Sequence, residues 1–148
     1  ATLDGISYVE QLQVVEVKGG VAANVVPDFA SCALNHRVAP DRTQEVATAS
    51  LVAFLGDLIE AGDSFSVTDW APPAVPSLTN DRLAQLVSLT GEGALGKLGW
   101  TDVATFTELG TPATNFGAGD PLLAHRSDEF VTLSQLDEFA RVLTAWLA

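Results

Sequence analysis

Residues 71–77 read Ala-Pro-Pro-Ala-Val-Pro-Ser, and no other stretch constrains the fold as strongly. Proline donates no backbone N–H and holds φ near −65°, so three prolines in seven residues cannot continue a strand ladder or a helix. The run stiffens the chain and predicts a boundary, dividing residues 1–76 from residues 77–148. With 148 residues, 47% of them hydrophobic, the chain can form one ordinary core or two small ones, since domains cluster near roughly 100–150 residues.

Before that boundary, "ISYVEQLQVVEV" is rich in β-branched residues but alternates imperfectly, and Gly19-Gly20 end it. It predicts a strand over about 6–18. In "FASCALNHRVA" the two-residue period puts Ala30, Cys32, Leu34, His36 and Val38 on one face and Phe29, Ser31, Ala33, Asn35 and Arg37 on the other. The first face is expected in the core, with Cys32 as a small buried residue. Next, "APDRTQEVATASLVAFLGDLIEAGD" predicts a helix with Asp41 as N-cap, Gln44 at N3 and Gly62 as its stop, covering the apolar face of the preceding strand. "SFSVTDW" reads as a short strand over 64–70.

Beyond the prolines, "SLTNDRLAQLVSL" predicts a helix capped at Thr79 or Asn80. "VATFTEL" and "TPATNFG" read as short extended pieces. "VTLSQLDEFARVLTAWL" predicts a helix opened by a Thr132–Gln135 capping box, with Val131 and Leu136 spaced as a hydrophobic staple. Helix and strand thus alternate in the second part, as in α/β layers. The first part reads as a split βαβ sandwich without its first strand and helix.

Seven Lys+Arg against nineteen Asp+Glu leave a formal charge of −12, which repels nucleic acid and anionic membrane surfaces. The lone Cys32 allows no intrachain disulfide and fits a reducing compartment. No apolar run approaches the ~20 residues of a spanning helix, and "ATLDGISYVEQL" lacks the features of a signal peptide. A soluble, cytoplasmic protein is expected.

Few residues offer chemistry. His36, His125 and Cys32 are the only nitrogen or sulfur donors for a metal, and no HExxH, HxH or CxxC accompanies them. In a loop, His125 is either a hydrogen-bonded surface side chain or a metal ligand. Asp128-Glu129, ahead of the last helix, fit either acid chemistry or simple stabilisation of its N-terminus, worth roughly 0.3–1 kcal/mol. No G-x-S-x-G elbow, P-loop or dinucleotide fingerprint is present.

Taken together, "GGVAANVVPDFASCALNHRVAPDRT", "GKLGWTDVATFTELGTPATNFGAGDP" and "LAHRSDEFV" resemble the C-terminal part of the succinyl-diaminopimelate desuccinylases of actinobacterial type. These form a branch of the zinc metallopeptidase family that includes aminoacylase and carboxypeptidase G. The resemblance implies an incomplete ferredoxin-like lid and dimerisation domain over 1–76 (an α+β lid), then the C-terminal part of a di-zinc α/β catalytic domain over 77–148. It implies two zinc ions in the complete enzyme, with cobalt as an alternative, a small N-acyl substrate, and a homodimer through the lid.

By the same resemblance His125 matches a zinc ligand, Arg37 the arginine that holds a substrate carboxylate, and Asn24 an asparagine that reaches the partner's site. Asn115, Gly117 and Gly119 match a loop that shapes the pocket, and Asp102 matches a G-T-S-D segment. Trp100 and Pro121 depart from the pattern. The general-base glutamate and the other metal ligands have no match among these residues, so the chain alone is expected to be inactive. Hydrolysis of another N-acyl amino acid or dipeptide, or a non-catalytic dimerisation module, are the alternatives.

Overall fold

Val15 is the irregular point of the longest ladder. In a computed structural model, which describes all 148 residues, β3 (Gln11–Gly19) runs antiparallel to β4 (Ala30–Arg37). Leu12 faces His36 and Val14 faces Leu34, yet Glu16 faces Ala33 and Val17 faces Cys32, so one extra residue is inserted between Val14 and Glu16. Such a bulge shifts the side-chain alternation by one position. Leu12, Val14 and Val17 therefore share a face with Cys32, Leu34 and His36, while Gln11, Gln13, Glu16 and Lys18 share the other with Asn35 and Arg37. The imperfect alternation of the sequence is a regular one interrupted once.

The strand expected over 6–18 is broken in the structure. Two short strands, β1 (Thr2–Leu3) and β2 (Ile6–Ser7), pair with each other. Tyr8 then exchanges backbone bonds with Ala1, donating to its carbonyl at 2.8 Å and accepting from its amine at 3.0 Å. Tyr8 is buried, and the backbone of Gly96 passes so close that an added Cβ would lie 2.5 Å from the Ser7 carbonyl oxygen.

Helix α1 (Gln44–Leu55) starts and stops elsewhere than expected. Thr43 caps it: its side chain accepts from Val46 N–H and its carbonyl accepts from Ala47 N–H at 2.9 Å, while residues 39–42 form a turn closed by the Arg42 N–H on the Ala39 carbonyl at 3.2 Å. Asp41 is thereby left outside the helix. Gly56 ends it, and Gly62 lies in the following turn. Nor does α1 lie across the sheet: Ala47 and Leu51 are buried, while Ala30 to Ala33 of β4, including Cys32, are exposed. Cys32 is accordingly not a core residue.

After Arg37 the chain forms no strand. "SFSVTDW" and "TPATNFG" have no ladder partner and stay irregular. "VATFTEL" is helical, forming α3 (Val103–Glu108). Its end explains why: Thr111 N–H returns to the Phe106 carbonyl at 2.9 Å and Gly110 N–H to that of Thr107 at 3.0 Å, a Schellman closure with Gly110 at φ +74°. Local closure outweighs the β preference of Val, Thr and Phe. The expected helix–strand alternation of the second part is thus replaced by helices and loops.

The two longer helices of that part follow their caps. In α2 (Asp81–Thr90) Asn80 Oδ1 accepts from Arg82 and Leu83 N–H. In α4 (Leu133–Leu147) Thr132 and Gln135 form the full reciprocal capping box. α2 and α4 bury Leu83, Leu86 and Val142. Trp146 Nε1 donates to the Arg82 carbonyl at 2.6 Å, and the Arg82 guanidinium lies 5.1 Å from the Trp146 ring centre.

Two compact units result. One comprises Ala1–Leu3, Ser7–Pro73 and Gly96–Trp100, the other Asp4–Ile6, Ala74–Leu95 and Thr101–Ala148. Tyr8, Ala39, Ala47 and Leu51 form the first core; Ile6, Leu83, Leu86, Ala104 and Val142 form the second. The accessible surface is 10816 Å². A single compact protein of 15.5 kDa exposes about 7,200 Å², and even two separate units of half that mass about 8,700 Å². The hairpin leaves apolar side chains uncovered: Val14, Val15 and Val17 are 61, 59 and 72% exposed.

Deleting Val15 should leave the Val17–Cys32 and Lys18–Ser31 pairs in place, because the remaining residues alternate without interruption. Cross-strand proton contacts by NMR test this, and a ladder shifted by one residue would refute the assignment of the faces. Gly110→Ala should cost about 1–2 kcal/mol in urea unfolding, since a Cβ is strained at that φ.

Candidate functional site

The residues singled out from the sequence fall into both units. In the second, Asp120 Oδ1 accepts from Leu122 N–H at 2.9 Å and starts a 3-10 turn over Pro121–Leu123. The chain then reverses at His125, whose φ of +67° lies in the left-handed region. Only a few per cent of non-glycine residues adopt it, at a cost of roughly 1–2 kcal/mol. Glu129 holds the conformation by accepting the His125 backbone N–H on Oε2 at 3.0 Å. The imidazole itself is exposed and forms no hydrogen bond or ion pair within the chain.

Arg126 and Asp128 brace the same loop through two parallel bonds of 2.8 and 2.7 Å. This pairing lowers the Asp128 pKa and raises that of Arg126. Asp128 and Glu129 are thus engaged within the loop, one on the Arg126 guanidinium and one on the His125 amide. The cap of α4 is formed by Thr132 and Gln135 instead.

The neighbouring loop is tethered at two points. Asn115 donates from Nδ2 to Thr101 Oγ1 at 3.0 Å, and Phe116 stacks on Phe139 of α4 with ring centres 5.1 Å apart. Gly119 has φ +93°, which a side chain would strain, whereas Gly117 has no heavy atom near the place of a Cβ. Asp102 precedes α3 but makes no capping bond through its side chain.

Arg37 and Asn24 belong to the first unit. Arg37 closes β4 opposite Gln11 on the polar face, is exposed, and has no hydrogen bond or ion pair. Arg42, Arg82, Arg126 and Arg141 all have partners, so Arg37 is the one arginine with an unengaged guanidinium; it does not pair with Asp41. Asn24 is exposed in the loop between β3 and β4. The length of β4, at about 3.3 Å per residue, puts it roughly 20 Å or more from Arg37. One chain does not bring these two side chains together.

The metal question can be tested on the donors present. No group of three or more His, Cys, Asp or Glu side chains is placed to hold a metal. His36 is turned to Glu10, 3.6 Å away, and His125 stands as a single imidazole. These residues do not make up a metal site, although His125 is chemically fit to supply one ligand of a larger set.

A polar cluster that the sequence did not reveal joins Glu10, His36, Arg42 and Ser50. Its partners are 29 residues apart at the Glu10–Ala39 bond, and no local motif marks them. An open cleft of about 230 Å³ lies beside it, lined by Leu12, Leu51 and Phe54 among others. A second, of about 660 Å³, runs along α1 between Gln44, Val52 and Val67. Neither is lined by His125 or Arg37. No helix is long and apolar enough to cross a membrane.

No family model matches the chain. Individual proteins do. A Mycobacterium tuberculosis protein provisionally named as a succinyl-diaminopimelate desuccinylase is 40% identical over 98% of the chain. The succinyl-diaminopimelate desuccinylase of Corynebacterium glutamicum is 40% identical over 99%. The N-acetyl-L-citrulline deacetylase of Xanthomonas campestris is 29% identical over 83%. The chain spans 40% of the length of the first two and 35% of the third. It is therefore similar over nearly all its residues to a portion of the two longer desuccinylases, and over most of them to a portion of the deacetylase.

Because the Asp128 pKa is lowered, the stabilisation it gives is complete above its ordinary value of about 3.9 and is lost as pH falls through the lower folded-state value. A carbon-detected NMR titration should place the Asp128 midpoint below that ordinary value, and Arg126→Ala should return it. An unshifted midpoint in the parent chain would show that the brace is not formed.

Proposed function

We propose that the chain is part of a metal-dependent amidohydrolase that cleaves N-succinyl-LL-diaminopimelate. The observation that carries this reading is the 40% identity to desuccinylases over almost every residue. Water adds across the amide: the C–N bond breaks, the acyl carbon leaves as the carboxylate of succinate, and the nitrogen leaves as the amine of LL-diaminopimelate.

In this reading the roles follow side-chain chemistry. Arg37, with a free planar guanidinium, binds a substrate carboxylate through two parallel bonds. Asn24 supplies an amide donor to the carbonyl under attack, in the site of a partner subunit, since it stands far from Arg37 in its own chain. The loop from Asn115 to Gly119 forms a pocket wall. His125 offers one imidazole to the metal. Zinc, as two ions, or cobalt in its place, would supply an activated water; the remaining ligands and the general base are not among these residues.

Residues 1–76 act as part of a lid through which two copies associate, and residues 77–148 belong to the catalytic domain. The uncovered apolar face of β3 and β4 is then covered in the assembled enzyme by polypeptide that these 148 residues do not supply. Such an enzyme works in the cytoplasm, on a small substrate.

A second reading keeps the reaction and changes the acyl group; the similarity to an acetylcitrulline deacetylase favours it. The test is a chimera in which the matching portion of the Corynebacterium glutamicum desuccinylase is replaced by this chain. It should hydrolyse N-succinyl-LL-diaminopimelate, and His125→Ala should lower kcat/KM by about 100-fold or more together with the bound zinc. Unchanged zinc content would refute the ligand role of His125. Turnover of N-acetyl-L-citrulline alone would favour the second reading. A folded, dimeric chimera that hydrolyses neither would leave a non-catalytic dimerisation module.

A further inference from the structure

The geometry points to Glu10 as a positioning residue for Arg37, an inference that rests on the carboxylate-binding role proposed for that guanidinium. Glu10 stands just ahead of β3 and gathers groups from three other places in the chain. Its Oε1 accepts from Arg42 Nε at 2.6 Å and from the Ala39 N–H at 3.2 Å, and its Oε2 lies 3.6 Å from His36 Nε2. Arg42 in turn donates from Nη1 to Ser50 Oγ on α1 at 2.8 Å. The His36, Glu10 and Arg42 side chains are only 17, 26 and 32% exposed, so solvent screens this cluster less than an open surface pair.

Arg37 sits between two of these anchors. His36 precedes it on the opposite face, and Ala39 follows two residues later with its N–H bound and no measurable exposure. On one side of Arg37 the Ala39 backbone N–H is bound to the Glu10 carboxylate, and on the other the His36 imidazole faces the same carboxylate while the His36 backbone pairs with Leu12; the Arg37 side chain emerges on the polar face beside its ladder partner Gln11. An anion arriving there does not have to order the strand end, which removes a cost of binding.

Charge gives Glu10 a second effect. Arg42 lies five residues beyond Arg37 in the chain, and its guanidinium is held by Glu10. Pairing with Glu10 neutralises it and leaves Arg37 as the unengaged guanidinium at that end of the hairpin.

The test uses the 148-residue chain, labelled with ¹⁵N and titrated at low salt with succinate as the dicarboxylate probe, following the Arg37 Nε–Hε resonance. The parent should show a saturable shift. Glu10→Ala should weaken the apparent affinity at Arg37 by about fivefold or more, and Glu10→Gln, which retains an acceptor for the Ala39 N–H, by about twofold to threefold. Ala47→Gly, which loosens α1 at a buried residue lining neither cleft, should leave it unchanged. Parent affinity in a folded Glu10→Ala chain would overturn the positioning role and leave the Arg37 assignment standing. Should Glu10→Ala fail to fold, parent affinity in Glu10→Gln overturns it equally. No shift at Arg37 in the parent would overturn the Arg37 assignment, and the role of Glu10 with it.

Discussion

One extra residue, Val15, decides which side chains of the first unit share a surface. The bulge lets Val17 stand beside Leu12 and Val14 although the spacing between them is odd. The hairpin acquires one apolar and one polar face from a stretch that otherwise mixes them. Arg37 and Asn35 emerge on the polar face, and an apolar surface is assembled on the other. Every role considered for this unit depends on that partition.

The apolar face then dictates what the unit can be. Burying apolar area stabilises by roughly 25 cal/mol per Å², yet Val14 and Val17 remain mostly exposed and α1 covers only its own Ala47 and Leu51. Polar contacts join the elements instead, with Glu10 at their centre. The second unit is built differently: α2 and α4 bury Leu83, Leu86 and Val142, and reciprocal contacts between Arg82 and Trp146 close the end of that pair. Both cores are small, which agrees with a chain that matches only 40% of the length of its relatives.

What was legible in the sequence follows the range of the interaction responsible. The Thr132–Gln135 box was readable, and the cap at Asn80 was narrowed to Thr79 or Asn80, because a cap is satisfied within three residues. The face assignment in β4 was readable from its period, but burial was not, because Cys32 needs a covering element that α1 does not provide. "VATFTEL" carries β-branched residues that point to a strand, while the signal for the helix is the closing glycine at 110, outside that stretch. The bulge showed only as faulty alternation, and the Glu10 cluster left no trace, since its members meet only after the hairpin has formed. Among the site residues, His125 stood out as one of few metal donors but with two open readings, and the role of Arg37 came from resemblance alone. The structure adds that one holds a strained backbone with an unengaged ring and the other is an unpaired arginine.

In the proposed reading the apolar face of β3 and β4 is covered by polypeptide outside these residues. Amide hydrogen exchange at Val14, Val17, Cys32 and Leu34 measures this directly, comparing the isolated chain with the same residues embedded in the full-length desuccinylase chimera. Protection of these four amides should rise by about 100-fold or more on embedding, because covering the ladder raises the free energy of its opening. Equal protection in the two settings would contradict it.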